Sequence, residues 1–323
     1  MYKPFSATDW QGRVDKTEGD NALRWHQVIQ VWNQHDKLNG APTLLGFACD
    51  EGVRRNQGRS GVKQGPDAIR QALANFAYHH EQTPFDAGTI ECENQAMERA
   101  QEELSQHITR ILCHQGRAVI LGGGHEIAWG SFLGLSNYFN TQGKNTRIGI
   151  INFDAHFDLR PPTPRANSGT AFRQIATWCA QQQQTFNYLV IGLSPTSNTQ
   201  ALYDFAKQHD VAWIEDVECS VSNMATIEKT LTTFLDKIDA LYVTLCMDVF
   251  PAHIAPGVSA PAALGVEPIV VIQLLRQLKS LCREKNVTWL LSDIAELNSK
   301  YDIDQRTAKL AARLVHEISS QPV

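Results

Sequence analysis

Short apolar runs alternate with longer segments of helical periodicity along most of the chain. The apolar runs are rich in Val, Ile and Leu, which is typical of strands buried on both faces of a sheet. They lie at Thr43–Ala48, Ala118–Leu121, Arg147–Phe153, Tyr188–Gly192, Ala212–Ile214, Leu241–Leu245 and Val287–Leu291. The helical segments lie at Asp67–Ala74, Glu93–Cys113, Ala128–Tyr138, Met224–Leu235, Ile269–Leu281 and Thr307–Ile318. This alternation predicts one doubly wound α/β domain with a mostly parallel central sheet.

The first forty residues differ from the rest of the chain. Residues 1–40 combine a polar start with one amphipathic stretch, Leu23–Trp32, and we expect them to form an arm that packs on the body. Residues 41–323 are predicted to form a single domain. The polar start lacks the basic and apolar regions of a signal peptide, and no apolar run is long enough to span a bilayer. We therefore expect a cytoplasmic protein with no membrane partner.

Composition narrows the function classes. The chain has 323 residues, a net charge of −5 and no long basic run, so we expect no nucleic-acid partner. Its seven cysteines form no C-x-x-C pair, and the odd count argues against a disulfide framework or a structural zinc site. Most of them are expected to be reduced and buried.

Three polar clusters each follow a predicted strand directly. They are Gly122–Glu126, Asp154–Asp158 and Cys246–Asp248. Functional side chains gather at the carboxyl ends of parallel strands, where strands give way to loops. Alternate side chains of an extended segment share one face, so the acidic and imidazole groups of the second cluster can converge on one point. The sequence therefore predicts a polar site at one edge of the sheet.

The donor types indicate a metal site. The candidate donors are His125, Asp154, His156, Asp158, Asp248 and the thiol of Cys246. A carboxylate-rich set with some imidazole suits Mn²⁺ or a similar divalent ion, and this many donors exceeds the needs of one ion. Two ions bridged by carboxylates would activate a shared water as the nucleophile. This donor set therefore favours a hydrolase with two metal ions.

These motifs resemble the ureohydrolase family of arginase and agmatinase. The matching segments are GGGHE (122–126), DAHFD (154–158), TLCMD (244–248), NQGRSGVKQGP (56–66), SGT (168–170) and DIAELN (293–298). The resemblance runs from about Thr43 to Leu314. It implies a three-layer α/β/α, arginase-like fold, two Mn²⁺ per subunit, a small-molecule substrate and a homo-oligomer.

The resemblance also implies roles for individual residues. His125 and Asp158 would bind one manganese ion, His156 and Asp248 the other, and Asp154 would bridge the two. Asp158 would also hydrogen-bond the metal-bridging hydroxide and handle its proton. That hydroxide would attack the amidine carbon of the substrate.

The sequence departs from arginases at three positions. Cys246 replaces an aspartate that bridges the metals in the family, and a thiolate is softer and supplies one donor atom. Phe172 aligns with a histidine of several arginases. The glutamate that pairs with the guanidinium of arginase substrates would fall near Val270. This apparent loss weakens the case for a guanidinium substrate.

The segment APGVSAPAALGV (255–266) is similar to the branch of the family that hydrolyses N-formimidoyl-L-glutamate to L-glutamate and formamide during histidine degradation. A dianionic substrate needs cations at the rim of the site, and bidentate guanidinium pairing is suited to carboxylates. Among several loop arginines, we expect Arg160, together with Asn167 and Ser168, to contact the substrate. The loop arginines are Arg55, Arg59, Arg160, Arg165 and Arg173.

Two other interpretations stay open. The chain could take a guanidino substrate, such as guanidinobutyrate or agmatine, or it could be a metal-poor, non-catalytic member of the family because of Cys246. Cys49 and Cys246 both end predicted strands, and a disulfide between them would remove a metal ligand under oxidising conditions. Two independent reduced cysteines are the alternative.

Overall fold

The computed structural model describes residues 1–4, 10–17 and 19–320. Its strands are β1 (Tyr2–Lys3), β2 (Gln30–Val31), β3 (Pro42–Ala48), β4 (Phe85–Glu91), β5 (Arg117–Leu121), β6 (Ile148–Phe153), β7 (Asn187–Leu193), β8 (Ala212–Glu215), β9 (Ala240–Cys246) and β10 (Thr288–Ala295). Its α-helices are α1 (Trp25–Val28), α2 (Glu51–Arg55), α3 (Gly65–Ala74), α4 (Met97–Cys113), α5 (Ile127–Thr141), α6 (Ala171–Gln181), α7 (Gln200–Gln208), α8 (Met224–Leu235), α9 (Pro268–Glu284) and α10 (Arg306–Ser319).

Within the described residues, ten strands form one sheet in the order β1-β4-β3-β5-β10-β9-β6-β7-β8, with β2 also paired to β4. Every pairing is parallel except that of β1 with β4. The parallel strands between β3 and β8 end at one edge, so the loops that follow them meet there. This edge carries the polar clusters described above.

Two hydrophobic layers cover the sheet. Successive side chains of a strand point to opposite faces, and in β6 Ile151 and Phe153 join one core whereas Ile148 and Ile150 join the other. Helices α1, α3, α8, α9 and α10 pack on the first face, and α4 to α7 pack on the second. The sheet between two helical layers confirms the predicted three-layer α/β/α fold.

The amino-terminal segment contacts the body through its tryptophans. Trp25 and Trp32 are buried, and the Trp10 indole donates a hydrogen bond to the Asp86 carboxylate. The predicted amphipathic stretch forms only the single turn α1 followed by β2. Residues 5–9 and 18 of the predicted arm, and 321–323 of the predicted domain, lie outside the described residues.

Within the described ranges, no helix is both long enough and apolar enough to cross a membrane.

Candidate metal centre

Three strands of one stretch of the sheet bring the predicted donors together at the carboxyl edge. In the sheet, β5, β10, β9 and β6 are consecutive. His125 lies in the loop after β5, Asp154 and His156 follow β6, and Cys246 ends β9 with Asp248 two residues later. The sheet order thus places donors from distant parts of the chain side by side.

One group of donors surrounds His125. Its Nδ1 lies 2.9 Å from Asp154 Oδ2 and 2.9 Å from Asp158 Oδ2. Potential ligand atoms of His125, Asp154 and Cys246 all lie within 4.8 Å of one another. Three side-chain types that bind divalent ions therefore converge on a space of single-ion size.

A second group lies beside the first. His156 Nδ1 is 3.3 Å from Asp154 Oδ1 and 3.3 Å from Asp248 Oδ2. The ligand atoms of this trio also fall within 4.8 Å. Asp154 is common to both groups, and its two oxygens face different histidines. It occupies the position from which one carboxylate can bridge two ions.

Two unsatisfied atoms show that the donor set fits metal ions. His125 Nδ1 and Asp248 Oδ1 are buried without a hydrogen bond, although buried polar atoms are nearly always paired. His125 Nδ1 lies close to carboxylates but not in hydrogen-bonding geometry. Lone pairs that converge on a common point without a donor are suited to a cation, and mixed carboxylate and imidazole donors fit Mn²⁺.

Electrostatics at the centre also favour bound cations. Burial raises the pKa of Asp248 to about 6, and the charge of Asp154 adds to the rise. Burial likewise raises the pKa of the Cys246 thiol, with further contributions from Asp154, Asp248 and Glu296. Burial lowers the pKa of both site histidines, but the adjacent carboxylates outweigh it and hold each pKa well above its usual range. The acidic groups exceed the imidazoles, so added positive charge would stabilise the cluster.

Buried polar contacts fix the bridging carboxylate. Asn152 Nδ2 donates to Asp154 Oδ2 at 3.1 Å and to the Tyr188 hydroxyl at 2.9 Å. The Tyr188 hydroxyl in turn donates to the Phe157 carbonyl at 3.0 Å. Phe172, at the position aligned with a histidine of arginases, stacks on Tyr188 and meets the His125 ring edge-on. The aromatic side chain thus packs behind the donors and does not join them.

A further carboxylate lies in the site, away from the position near Val270 at which the glutamate of the family was expected. Glu296 directly follows β10, lines the same cavity as His125 and Cys246, and accepts a hydrogen bond from the His125 backbone amide. Val270 is instead buried in α9 within the hydrophobic core. The cavity therefore holds a glutamate, and the inference that the chain lacks one there is wrong.

Two site carboxylates have strained backbones. Asp158 has φ of 49° and Glu296 has φ of 66°, a region that residues other than glycine seldom occupy. Such conformations persist where surrounding contacts hold them, and they concentrate at functional sites.

The donors open into a cavity of about 300 Å³. Arg160 and Ser168, which we expect to contact the substrate, both line it, and Asn56 also lines it and donates a hydrogen bond to Ser168 Oγ. The Arg160 guanidinium makes no hydrogen bond or ion pair with any residue that the structure describes. Asn167 does not line the cavity, because its side chain caps the following turn and accepts a hydrogen bond from the Gly169 amide at 2.9 Å.

Three of the other loop arginines are engaged elsewhere. Arg55 is paired with Glu51 and Glu98, which fixes it away from the cavity. Arg59 lies over the Tyr301 ring, and Arg173 stacks on Phe205. Arg160 is the loop arginine that lines the cavity.

The sheet order argues against the disulfide considered between Cys49 and Cys246. Strands β5 and β10 separate β3, which precedes Cys49, from β9, which ends at Cys246. Three strand spacings amount to roughly 14 Å, whereas disulfide-bonded Cα atoms are about 4.4–6.8 Å apart. Cys92 is the thiol that neighbours Cys49, and both Cys49 and Cys246 are free. A Cys49–Cys246 disulfide is therefore incompatible with this fold.

The fold and the paired donor groups define the class of protein. A sequence model described as the arginase family matches residues 41–320. The chain therefore belongs to the arginase family.

Relatives within the family share most of the chain. A formimidoylglutamase of Aliivibrio fischeri is 45% identical and aligns with 97% of this chain and 94% of its own length. One from Vibrio cholerae is 46% identical, with 96% and 94% covered. Among solved structures, Bacillus subtilis formimidoylglutamase is similar with a TM-score of 0.79 at 22% identity, covering 94% of this chain and 93% of that one.

A Trypanosoma cruzi formiminoglutamase described with Mn²⁺ has a TM-score of 0.75 at 21% identity, covering 93% of this chain and all of that one (100%). At these identities the two structures support the fold alone.

Proposed function

We propose that the chain is a binuclear manganese hydrolase that converts N-formimidoyl-L-glutamate and water to L-glutamate and formamide, a reaction of histidine degradation. Two donor groups that share Asp154 are the observation that carries the hydrolase assignment. Curated relatives at 41–46% identity that are named formimidoylglutamase support the substrate.

Each donor has a role in this proposal. His125, Asp158 and Cys246 would hold one ion, His156 and Asp248 the other, and Asp154 both. Two Mn²⁺ ions bound there would supply a water that ionises near neutral pH and would polarise the substrate. The remaining chemistry belongs to the side chains and to the shape of the cavity.

Asp158 is suited to move the proton. Its Oδ2 lies beside the first donor group, and its side chain also faces the cavity. The attacking water loses a proton, and the C–N bond to the glutamate nitrogen breaks as that nitrogen gains one. A carboxylate beside both atoms can take the first proton and deliver it in the second step.

Recognition of the two substrate ends would use opposite charges. Glu296 lines the metal side of the cavity and can pair with the amidine nitrogens, while its other oxygen stays on the His125 amide. The free guanidinium of Arg160 can pair with a carboxylate of the glutamyl part, and the polar groups of Asn56 and Ser168 lie nearby. The cavity thus offers an acidic end to the amidine and a basic end to the carboxylates.

One observation favours a second candidate. Because Glu296 supplies a carboxylate at the metal site, a guanidino substrate also fits the donor end of the cavity. Guanidinobutyrate carries one carboxylate and agmatine none, so both use Arg160 less fully than formimidoylglutamate does. Comparing kcat/KM for the three compounds separates the candidates, and a preference for agmatine would contradict our assignment.

The direct test measures formamide release from formimidoylglutamate by the Mn²⁺-loaded protein and by Asp158→Ala. We expect the parent to be active and the variant to lose about 100-fold or more, as expected for loss of general acid–base catalysis. Asp236→Ala is a matched control, because that carboxylate pairs with Lys285 on the surface. Equal activity of Asp158→Ala and the control would contradict the proposed proton transfer.

Three expectations remain predictions. They are the division into an arm at 1–40 and a catalytic domain at 41–323, a cytoplasmic location, and homo-oligomeric assembly. Sedimentation of the purified protein tests the last of these.

A further inference from the structure

A buried carboxylate outside the donor set lies in the middle of the sheet. Asp293 belongs to β10, between β5 and β9, and its side chain is fully buried. A buried charge is costly unless hydrogen bonds compensate it. The mechanism proposed above makes no use of this residue.

One oxygen of Asp293 is well paired and the other is not. Ser131 Oγ donates to Oδ2 at 2.9 Å, and the Tyr242 hydroxyl donates to the same atom. Oδ1 is buried without a hydrogen bond from either residue. An unpaired carboxylate oxygen in the core requires a donor close by.

Thr244 is the neighbour that can satisfy it. Asp293 and Thr244 are directly opposed in the β10–β9 register, and their side chains interact. Thr244 Oγ1 also lies 3.0 Å from Nε2 of His125. A hydroxyl has one hydrogen, so Thr244 donates either to Asp293 or to His125.

This choice determines the tautomer of the histidine. If Thr244 donates to Asp293, its oxygen accepts a hydrogen bond from Nε2–H, and Nδ1 keeps its lone pair. If Thr244 donates to Nε2, the ring hydrogen sits on Nδ1, which faces Asp154 and Asp158. Only the first arrangement leaves Nδ1 able to bind a metal.

We propose that Asp293 is a positioning residue that acts through Thr244 to hold His125 in the Nε2–H tautomer, with Nδ1 free for the metal. The anionic oxygen is the stronger acceptor, so it orients the Thr244 hydroxyl away from the imidazole. Ser131 and Tyr242 fix the carboxylate from its other side. The inference rests on the proposed metal centre, but not on the identity of the substrate.

The test compares Mn²⁺ dissociation constants, measured by electron paramagnetic resonance of the free ion, for the parent, Thr244→Val and Asp293→Asn. We expect both variants to bind about 10–100-fold more weakly, the usual effect of losing an outer partner of a ligand histidine. Thr244→Ser keeps the hydroxyl and is expected to bind within about threefold of the parent. The double variant is expected to bind Mn²⁺ about as weakly as the more affected single variant. The two effects should not add, because both substitutions act through the Thr244 hydroxyl.

Ser131→Ala is the control that separates a loss of fold stability from a loss of Mn²⁺ affinity. Ser131→Ala removes a bond to Asp293 on the side away from His125, so it should lower the melting temperature with little change in Mn²⁺ affinity. If Thr244→Val binds Mn²⁺ like the parent, or if the effects of the two substitutions add, the proposal is overturned. Thr244→Val decides this even if Asp293→Asn does not fold.

The outcome is separate from that for the substrate. A parent that binds Mn²⁺ but releases no formamide would contradict the proposed reaction and leave this inference standing. A parent that binds no Mn²⁺ would overturn both.

Discussion

Two groups of histidines that are buried or partly buried have opposite acid–base properties in this protein. At the carboxyl edge, carboxylates raise the pKa of His125 and His156 despite burial. Beside α1, the rings of His80 and His316 lie 4.4 Å apart, and burial lowers the pKa of each to about 4. Trp25 packs on both rings and donates to His316 Nδ1 at 3.1 Å.

The difference lies in the surroundings. The charged groups around His80 are cationic side chains, including Lys279 and Arg117, which add to the effect of burial. Around His125 the neighbours are carboxylates from a different strand tip. Burial alone keeps a histidine neutral, and converging carboxylates turn it into part of a cation site.

The largest expected effect is on activity, and it differs between a histidine of the metal centre and a histidine beside α1. His156→Ala removes a proposed ligand of one ion, and loss of that ion would remove several kcal/mol of transition-state stabilisation, or about a 1,000-fold fall in kcat/KM. His80→Ala is expected to stay within about twofold of the parent, since it changes no donor. Steady-state formamide release measures both. Similar losses in the two variants would break the distinction.

The same contrast extends to cysteines. Cys246→Ala removes a proposed donor, so we expect Mn²⁺ affinity to fall by at least about 10-fold, the effect of losing even an outer partner of a ligand. Cys282→Ala removes a buried thiol that lies in the hydrophobic core and serves as the matched control. Metal titration of both variants provides the measurement. Unchanged affinity for Cys246→Ala would show that the thiol is not a ligand.

Low pH should lower the free energy of unfolding through the His80–His316 pair. Because the folded-state pKa of His80 and His316 is about 4, below the ordinary 6.5, the unfolded chain takes up more protons in this range. The free energy of unfolding should therefore decrease as pH falls from about 6.5 to about 4, and the pair should add no further slope below that.

Replacing both residues with phenylalanine is expected to reduce the pH slope by up to about two protons. Denaturant unfolding across this range measures it. Substitution of His35, whose side chain is exposed, is the control. If the slope of the unfolding free energy against pH is unchanged in the double variant, the conclusion that the His80 and His316 rings are neutral in the folded protein is contradicted.

The smallest expected effect concerns the indole. Trp25→Phe removes the donor to His316 and part of a buried side chain, so the free energy of unfolding should fall by about 1–3 kcal/mol. Activity per folded molecule should not change. A loss of Mn²⁺ binding in this variant would show that the two histidine groups are coupled.

The pattern of apolar residues predicted most of the strands and helices. The main elements that it missed contain polar residues in buried strands. The pattern missed β4 because Asp86 and Gly88 interrupt its apolar run. In the structure, Arg70 pairs with both oxygens of Asp86, at 2.8 and 3.0 Å. That compensation comes from residues distant along the chain, so a local pattern cannot show it. Helices α6 and α7 were also missed.

The site shows the same limit. The five histidine and aspartate donors were predictable because each follows an apolar run that forms a strand. Glu296 was missed because the predicted last strand ended at Leu291, whereas β10 continues to Ala295. Ser292 and Asp293 made that continuation look like a loop, because the partners of Asp293, Ser131 on α5 and Tyr242 on β9, are visible only in the fold. The motif DIAELN was the available signal.

The pairing of the first strands has a consequence for handling the protein. On its outer side, β4 bonds only to the short strands β1 and β2 among the described residues. Without residues 1–31, β4 would present a row of unbonded amides and carbonyls, a template for strand addition by another chain. Truncation there should promote aggregation before it affects catalysis.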